Sequence, residues 1–514
     1  MSSVPPEPPG EAVPGAARSS AALGQRVAGS AGLLWLLSMG LRLVSTLSML
    51  VLARVLVPED FGLVALAGAV IVILDVMTNF QAGAAIIKTR DPDKALFDTA
   101  FTLNIARGLL AAVVLLALAV PLAGFMETPA LGPVLMALAV PLVINSFANP
   151  YFILFARDLD FRAETRRRAA AAVAGSLASI ALALIFRSYW ALIAGNLVQA
   201  LVSVALSWWR VPGRPGLSLA RSRELLGFGG WLVVQQMAQQ IGLKFDYFFI
   251  VKVLDPATLG AYHVGNQVNM LATGDAVPAL SKALFPAFST INDDPARLRR
   301  NYLDVQAIAV AIALPMGIGL AILAEPLVLL LFGPGWEKAV PVVQIMAPLL
   351  SLQALGAGVD GMAMALGHTK LLATRQGIYI AARTALIVAG WFNGGFLGVI
   401  VGRAVSGIIY PAWNLLLGAS LTASRATDPL IASWRSFLAA FVMAAGLVLV
   451  PVPPTAGIGW LAAHLALRVV FGGALYLGVM ALLWQLSGRP VGAEKRIIEQ
   501  ARGLIARRSS RSAA

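Results

Sequence analysis

Fourteen apolar stretches occupy most of the sequence, and a helix needs only about 20 such residues to cross a ~30 Å hydrocarbon core. They lie near 31–53, 62–87, 97–123, 131–156, 169–187, 189–209, 228–251, 258–289, 302–324, 339–367, 370–391, 396–418, 434–452 and 459–485. The longest gap between them, 210–227, is too short for a separate soluble domain. Only 12% of the 514 residues are charged, against about 25% in soluble domains. Thirty-nine Lys and Arg with 25 Asp and Glu cannot coat a soluble protein of this size. The expected fold class is therefore an all-α polytopic membrane protein with about 14 transmembrane helices. A soluble enzyme, a disordered chain and a disulfide scaffold are excluded. The sequence has no cysteine, which removes thiolate catalysis, iron–sulfur clusters and Cys-ligated zinc. With only His263, His368 and His464 as imidazoles, no cofactor and no metal is expected.

Several stretches exceed one bilayer crossing, so those helices should tilt, or kink at Pro141, Pro278, Pro315 or Pro348. The run 326–332 is too short to span and reads as a re-entrant or interfacial turn before Gly333-Pro334-Gly335-Trp336.

Charge placement sets the expected topology. With the N-terminus inside, 28 of the 39 cations fall in the tails and inner loops, Lys370 and Arg375 among them. Only Arg54, Arg187, Lys252 and Lys338 fall outside. This bias predicts an even number of spans with both termini cytoplasmic. The net charge of +14 is then topological, and no nucleic acid partner is expected. Residues 1–30 read as a disordered cytoplasmic tail, with five prolines in the first 20 positions. Residues 486–514 read as a basic cytoplasmic tail. Within it, 493–508 aligns Ile497, Ile498, Ala501, Leu504 and Ile505 on one face, as an interfacial helix would.

The chain also repeats itself. Arg54-Val55-Leu56-Val57-Pro58 with Gly62 recurs as Lys252-Val253-Leu254-Asp255-Pro256 with Gly260, at an offset of 198. Gly195, following Trp190, has a counterpart in Gly402, following Phe396. Spans 1–6 (an N-lobe, 31–209) then match spans 7–12 (a C-lobe, 228–418), with spans 13–14 (434–485) outside the repeat. Six spans per half gives parallel repeats, with a site between lobes that rock.

Seven cations lie within spans: Arg42, Arg107, Lys244, Lys282, Arg383, Arg403 and Arg468. Asp75, Asp246, Asp275 and Asp360 lie at comparable depth. A charge there costs roughly 2.5–3.5 kcal/mol on insertion scales and must face a wet cavity or a partner. Ser38, Arg42, Ser45, Thr46 and Met49 share one face of span 1. Arg42 lies roughly 16 Å from the inner end at 1.5 Å per residue. Span 7 carries Gln235, Gln236, Gln239, Gln240, Lys244 and Asp246; span 8 aligns Tyr262, Asn266, Asn269 and Thr273. Span 11 offers Gln376, Tyr379 and Arg383; span 12 aligns Arg403, Ser406, Tyr410 and Asn414.

These stripes fit a hydrated, net-positive cavity for an anionic, hydroxyl-rich cargo, because guanidinium matches phosphate oxygens in pairs. The cavity candidates are Arg42, Ser38, Ser45, Gln236, Gln240, Lys244, Asn266, Arg383 and Arg403. The alternative is helix-to-helix glue or buried ion pairs, the preferred reading for Arg468. Asp75, Asp246, Asp275 and Asp360 are candidates for ion coupling or for salt-bridge partners. No catalytic constellation and no nucleotide-binding loop is present, so the chain is not expected to be an enzyme.

Several short motifs resemble one family. They are Leu52-Ala53-Arg54-Val55-Leu56-Val57-Pro58-Glu59-Asp60-Phe61-Gly62-Leu63, Phe97-Asp98-Thr99-Ala100-Phe101, Arg157-Asp158-Leu159-Asp160-Phe161, Tyr189-Trp190-Ala191-Leu192 and Leu259-Gly260-Ala261-Tyr262. In that order and placement, over about 30–420, they resemble bacterial O-antigen and exopolysaccharide repeat-unit flippases. These belong to the multidrug/oligosaccharidyl-lipid/polysaccharide exporter superfamily. The resemblance implies two six-helix lobes in the bacterial inner membrane. It also implies undecaprenyl-diphosphate-linked oligosaccharide as cargo, and polymerase and chain-length or export proteins as partners beside membrane lipids. Arg42 matches, by topology, a first-span arginine found in related lipid II flippases. Alternatives are a lipid II flippase, a multidrug or cation exporter of the same superfamily, and a polytopic polysaccharide polymerase or ligase.

Overall fold

The computed structural model describes residues 39–78, 83, 86, 89, 92–157, 161–209, 211–226, 230–273, 295–450 and 457–489. Ser38, Asp275, Lys282, the tail 1–30 and the helix expected at 493–508 lie outside the described residues. Within them the chain is helical, with no strand.

The helices follow the apolar stretches. They are α1 (39–55), α2 (Pro58–Thr78), α3 (Lys94–Phe125), α4 (Leu131–Ser146), α5 (Phe161–Phe186) and α6 (Trp190–Ser207). The series continues with α7 (Gly230–Val253), α8 (Pro256–Thr273), α9 (Pro295–Ile322) and α10 (Ala339–Ser351). Next come α11 (369–393) and α12 (396–422), which meet at Gly394 and Gly395, the latter with φ of +55°. Last are α13 (Trp434–Leu449) and α14 (Ile458–Leu486). Eight helical segments are long and apolar enough to cross a membrane, with the α11–α12 pair counted as one. The chain is a multi-pass membrane protein. The run 326–332 lies in a nine-residue helix, Ala324–Phe332, about 14 Å long. It ends at Gly333 (φ +86°) and is followed by the buried Trp336.

Contacts group the chain into two compact units. One gathers Leu74–Phe125 and Pro129–Val234 with α1 up to Val55; the other gathers Leu56–Ile73, Met126–Thr128 and the chain from Gln235 onward. In the first unit, α3 packs on α4 and α5 on α6. In the second, α9, α13 and the short helices at 352–365, with Leu417 of α12 and Tyr476 of α14, enclose an apolar core around Tyr302, Val310, Met362 and Met443.

The repeated turns are built alike. Pro58 and Pro256 each occupy the first helical position, where the missing N–H costs nothing. A carboxylate caps each start: Val57 N–H donates to Asp60 Oδ2 at 3.3 Å, and Thr258 N–H to Asp255 Oδ1 at 2.6 Å. The two turns also meet within the second unit. A Cβ at Gly62 would overlap the Pro256 carbonyl, and a Cβ at Gly260 would overlap the Pro58 carbonyl. Phe61 stacks edge-on against Trp336 at 5.3 Å beside this crossing, and Lys252 Nζ pairs with Glu127 at 2.7 Å. Gly195 of α6 lies against the Ser179 side chain and the Gly175 carbonyl of α5, and Gly402 of α12 against the Leu386 carbonyl of α11.

The 16 residues of α13 cover about 24 Å, and the last four carbonyls of a helix have no intrahelical donor. Arg468 of α14, 5% exposed, donates to the Leu447 carbonyl. A buried guanidinium thus caps a helix C-terminus, the structural role preferred for Arg468.

Candidate functional site

The polar face of α7 leads to the densest charge cluster. Gln236, Gln240 and Lys244 rise along it four residues apart and are half-buried. Two residues beyond Lys244, Asp246 turns inward with a side chain only 3% exposed. Arg383 of α11, equally buried, donates from Nη2 to Asp246 Oδ2 at 2.8 Å and to the Leu243 carbonyl at 3.2 Å. The Tyr262 hydroxyl of α8 donates to the same oxygen at 2.5 Å. Arg403 Nε of α12 stands 4.0 Å from it. Asp246 Oδ1 accepts no hydrogen bond from a described residue.

One carboxylate therefore faces two guanidiniums, and Lys244 adds a third cation next door. Lys244 Nζ lies 4.6 Å from the Tyr247 ring centre, a cation–π contact. The Tyr247 hydroxyl and His263 Nδ1 are 3.0 Å apart. Removing a charge from such a buried group leaves the others uncompensated, so the cluster must be kept whole or filled by an anion. Asn266, half-buried, follows on α8. One turn on, Asn269 is fully buried and donates to the Val342 carbonyl at 3.3 Å, as helix glue.

A second cluster lies about two turns earlier on α11. Arg375, 3% exposed, bonds Asp360 and the Asn414 amide oxygen, and reaches the Tyr410 hydroxyl at 3.4 Å. The Tyr410 hydroxyl donates to Asp360 Oδ2 at 2.8 Å. Arg375 also lies over the Tyr410 ring at 5.0 Å. This corrects the sequence expectation, which counted Arg375 among inner-loop cations. Its place on α11 was legible in the spacing of Arg375, Tyr379 and Arg383, each four residues apart. The loop-charge bias survives the loss of one cation.

In the first unit, Arg107 of α3 pairs with Asp75 of α2 at 2.7 Å and with the Asn104 amide oxygen at 3.2 Å. All three described ion-coupling candidates thus face a guanidinium. Arg42 and Ser45 are exposed on α1, as are the apolar Leu43 and Leu47. Of the cavity candidates, the structure brings together Lys244, Arg383 and Arg403; Gln236, Gln240 and Asn266 lie on the same helices, and Arg42 and Ser45 on α1.

The family model described as "Polysaccharide biosynthesis protein" matches residues 51–341. The lipopolysaccharide biosynthesis protein WzxC of Escherichia coli (strain K12) is 26% identical over 369 residues, 70% of this chain and 74% of WzxC. The succinoglycan biosynthesis transport protein ExoT of Rhizobium meliloti (strain 1021) is 28% identical over 301 residues, 58% of this chain and 60% of ExoT. Among solved structures, the lipid II flippase MurJ in an inward closed conformation superposes with a TM-score of 0.68 at 13% identity. That match covers 88% of this chain and 99% of MurJ, and it establishes a shared all-helical polytopic fold.

Proposed function

The chain belongs to the polysaccharide biosynthesis protein family, and from that premise we propose that it flips undecaprenyl-diphosphate-linked oligosaccharide repeat units across the bacterial cytoplasmic membrane. The polymer is an exopolysaccharide, O-antigen or capsule. Both termini are cytoplasmic in this reading, and a polysaccharide polymerase and chain-length or export proteins act downstream.

The observation that carries the proposal is the cation surplus where α7, α8, α11 and α12 meet: Lys244, Arg383 and Arg403 around the single carboxylate of Asp246. A diphosphate has the charge and the oxygen spacing to answer such a surplus. An exporter of cationic drugs needs the opposite balance. Arg383, held by Asp246, positions the site, while Lys244, Arg403 and Arg42 take the phosphates. Ser45, Gln236, Gln240 and Asn266 supply hydrogen bonds to sugar hydroxyls. Asp75, Asp246 and Asp360 act as counter-ions that hold helices together rather than as ion-coupling groups. Two lobes, 31–209 and 228–418, rock about the repeat axis.

The test is to delete the gene and measure lipid-linked repeat units by leaflet. Inner-leaflet accumulation with loss of surface polymer is expected. Normal surface polymer with raised drug sensitivity would favour a multidrug exporter, and lysis on depletion a lipid II flippase. Arg42→Ala should insert normally and stop export; full export by that variant would remove Arg42 from the site.

A further inference from the structure

The segment 211–221 joins the two halves of the repeat, and the structure gives it two unlike sides. It runs from 213 to 219 without helix or turn, yet it is pinned along its length to the first unit. Asn149 Nδ2 donates to the Gly213 carbonyl at 3.1 Å. The N–H groups of Gly216, Ser218 and Arg221 donate to Asp98 Oδ1 (2.6 Å), Thr102 Oγ1 (2.8 Å) and Thr99 Oγ1 (3.2 Å) on α3. Arg221 also pairs with Asp93 at 3.0 Å and holds that carboxyl below its usual range through hydrogen bonding. Just beyond, Leu225 is fully buried among Ile86, Leu96, Phe97 and Ala100. The motif Phe97-Asp98-Thr99-Ala100-Phe101 is therefore, in part, a dock for this strap.

The outward side is different. Leu217 and Leu219 are 75% and 59% exposed, although the polar backbone beside them is satisfied against α3. Arg214 and Arg223 are exposed on either side of them, and no acidic residue occurs between 208 and 223. The strap directly follows α6 and the Trp208-Trp209 pair, of which Trp209 is 63% exposed. Paired tryptophans at the end of an apolar helix mark the membrane–water boundary. Apolar side chains flanked by cations at that depth have the pattern of a surface that inserts shallowly while its charges meet anionic headgroups.

We propose that the strap 211–221 is a binding surface for anionic lipid, with Leu217 and Leu219 set into the interface and Arg214 and Arg223 on the headgroup phosphates. The pins on α3 pre-order it, so that binding costs little further chain entropy.

The absence of native cysteine makes a direct test practical. A spin label on Leu217→Cys of the full chain is placed in vesicles of phosphatidylcholine alone or mixed with phosphatidylglycerol. Its collisions with lipid-soluble oxygen and with a water-soluble nickel chelate are then compared. In the mixed vesicles oxygen should dominate; adding Arg214→Gln and Arg223→Gln should raise nickel collisions several-fold. Leu219→Cys, on the same side, repeats the measurement should the first variant fold poorly. Equal exposure to nickel in both vesicle types, as a protein-docking face or a solvated loop would give, overturns the proposal. Burial indifferent to phosphatidylglycerol and to the arginines does so too. No cargo is involved, so the outcome is independent of the transport reading.

Discussion

Asp75 and Asp246 are both acids within apolar helices, but their surroundings differ. Asp75 meets one guanidinium, Arg107, and its side chain keeps 47% of its exposure. Asp246 keeps 3%, bonds Arg383 and Tyr262, and faces Arg403 with Lys244 nearby. The first arrangement is neutral and complete, as a tie between α2 and α3 needs to be. The second has more positive than negative charge in a place shielded from water, where electrostatic effects are strong. A one-to-one pair explains itself as structure, whereas a surplus calls for an anion from elsewhere.

That contrast can be broken by substitution. The largest effect is expected from Asp246→Ala, which strands two buried guanidiniums; the loss should be about 3–5 kcal/mol, read as reduced folded protein in the membrane and an earlier thermal transition. Next is Lys244→Ala. It leaves the Asp246–Arg383 pair intact, so the protein should insert and melt normally while export falls by an order of magnitude or more, the cost of roughly one charge-assisted contact. Normal export in that variant would make Lys244 a structural cation like Arg107.

Asp75→Asn should cost about 1 kcal/mol or less, since the pair is half-exposed, and should leave export nearly intact. A transport defect as deep as that of Lys244→Ala would erase the distinction between the two acids. The smallest effect belongs to the exposed Lys252–Glu127 pair. Lys252 holds the Glu127 carboxyl below its ordinary range, so the pair is complete at neutral pH and is lost as pH falls through that lowered value. Lys252→Gln should change melting too little to measure in high salt, where exposed pairs are screened. By contrast, Lys252→Cys with Glu127→Cys should cross-link on oxidation, arrest export and recover on reduction.

The helices were legible because each depends on its own residues. Pro58 and Pro256 start helices, and Gly394-Gly395 ends one, for reasons local to those positions. The duplicated Pro-to-Gly spacing was visible, but not that Gly62 and Gly260 press against each other's turns. Within the site, the stripes of α7, α8 and α12 were readable from helical periodicity. Arg375 was missed because it lies near the start of α11, beside Lys370, where a loop cation is the ordinary expectation. The strap was missed for a similar reason: its bonds to α3 join residues more than a hundred positions apart, and no periodicity reports them.

The amino-acid sequence alone determined which segments are helical and apolar and where the turns between them fall. Those properties follow from transfer of side chains out of water and from backbone preferences, both summed over neighbouring residues. Only the tertiary structure decided that Asp246 takes Arg383 and Tyr262, that Asp360 takes Arg375, and that Arg468 serves a helix end instead of an anion. An ion pair between helices forms only when the two bring its members within about 4 Å, and composition, however biased, carries no information about which helices cross.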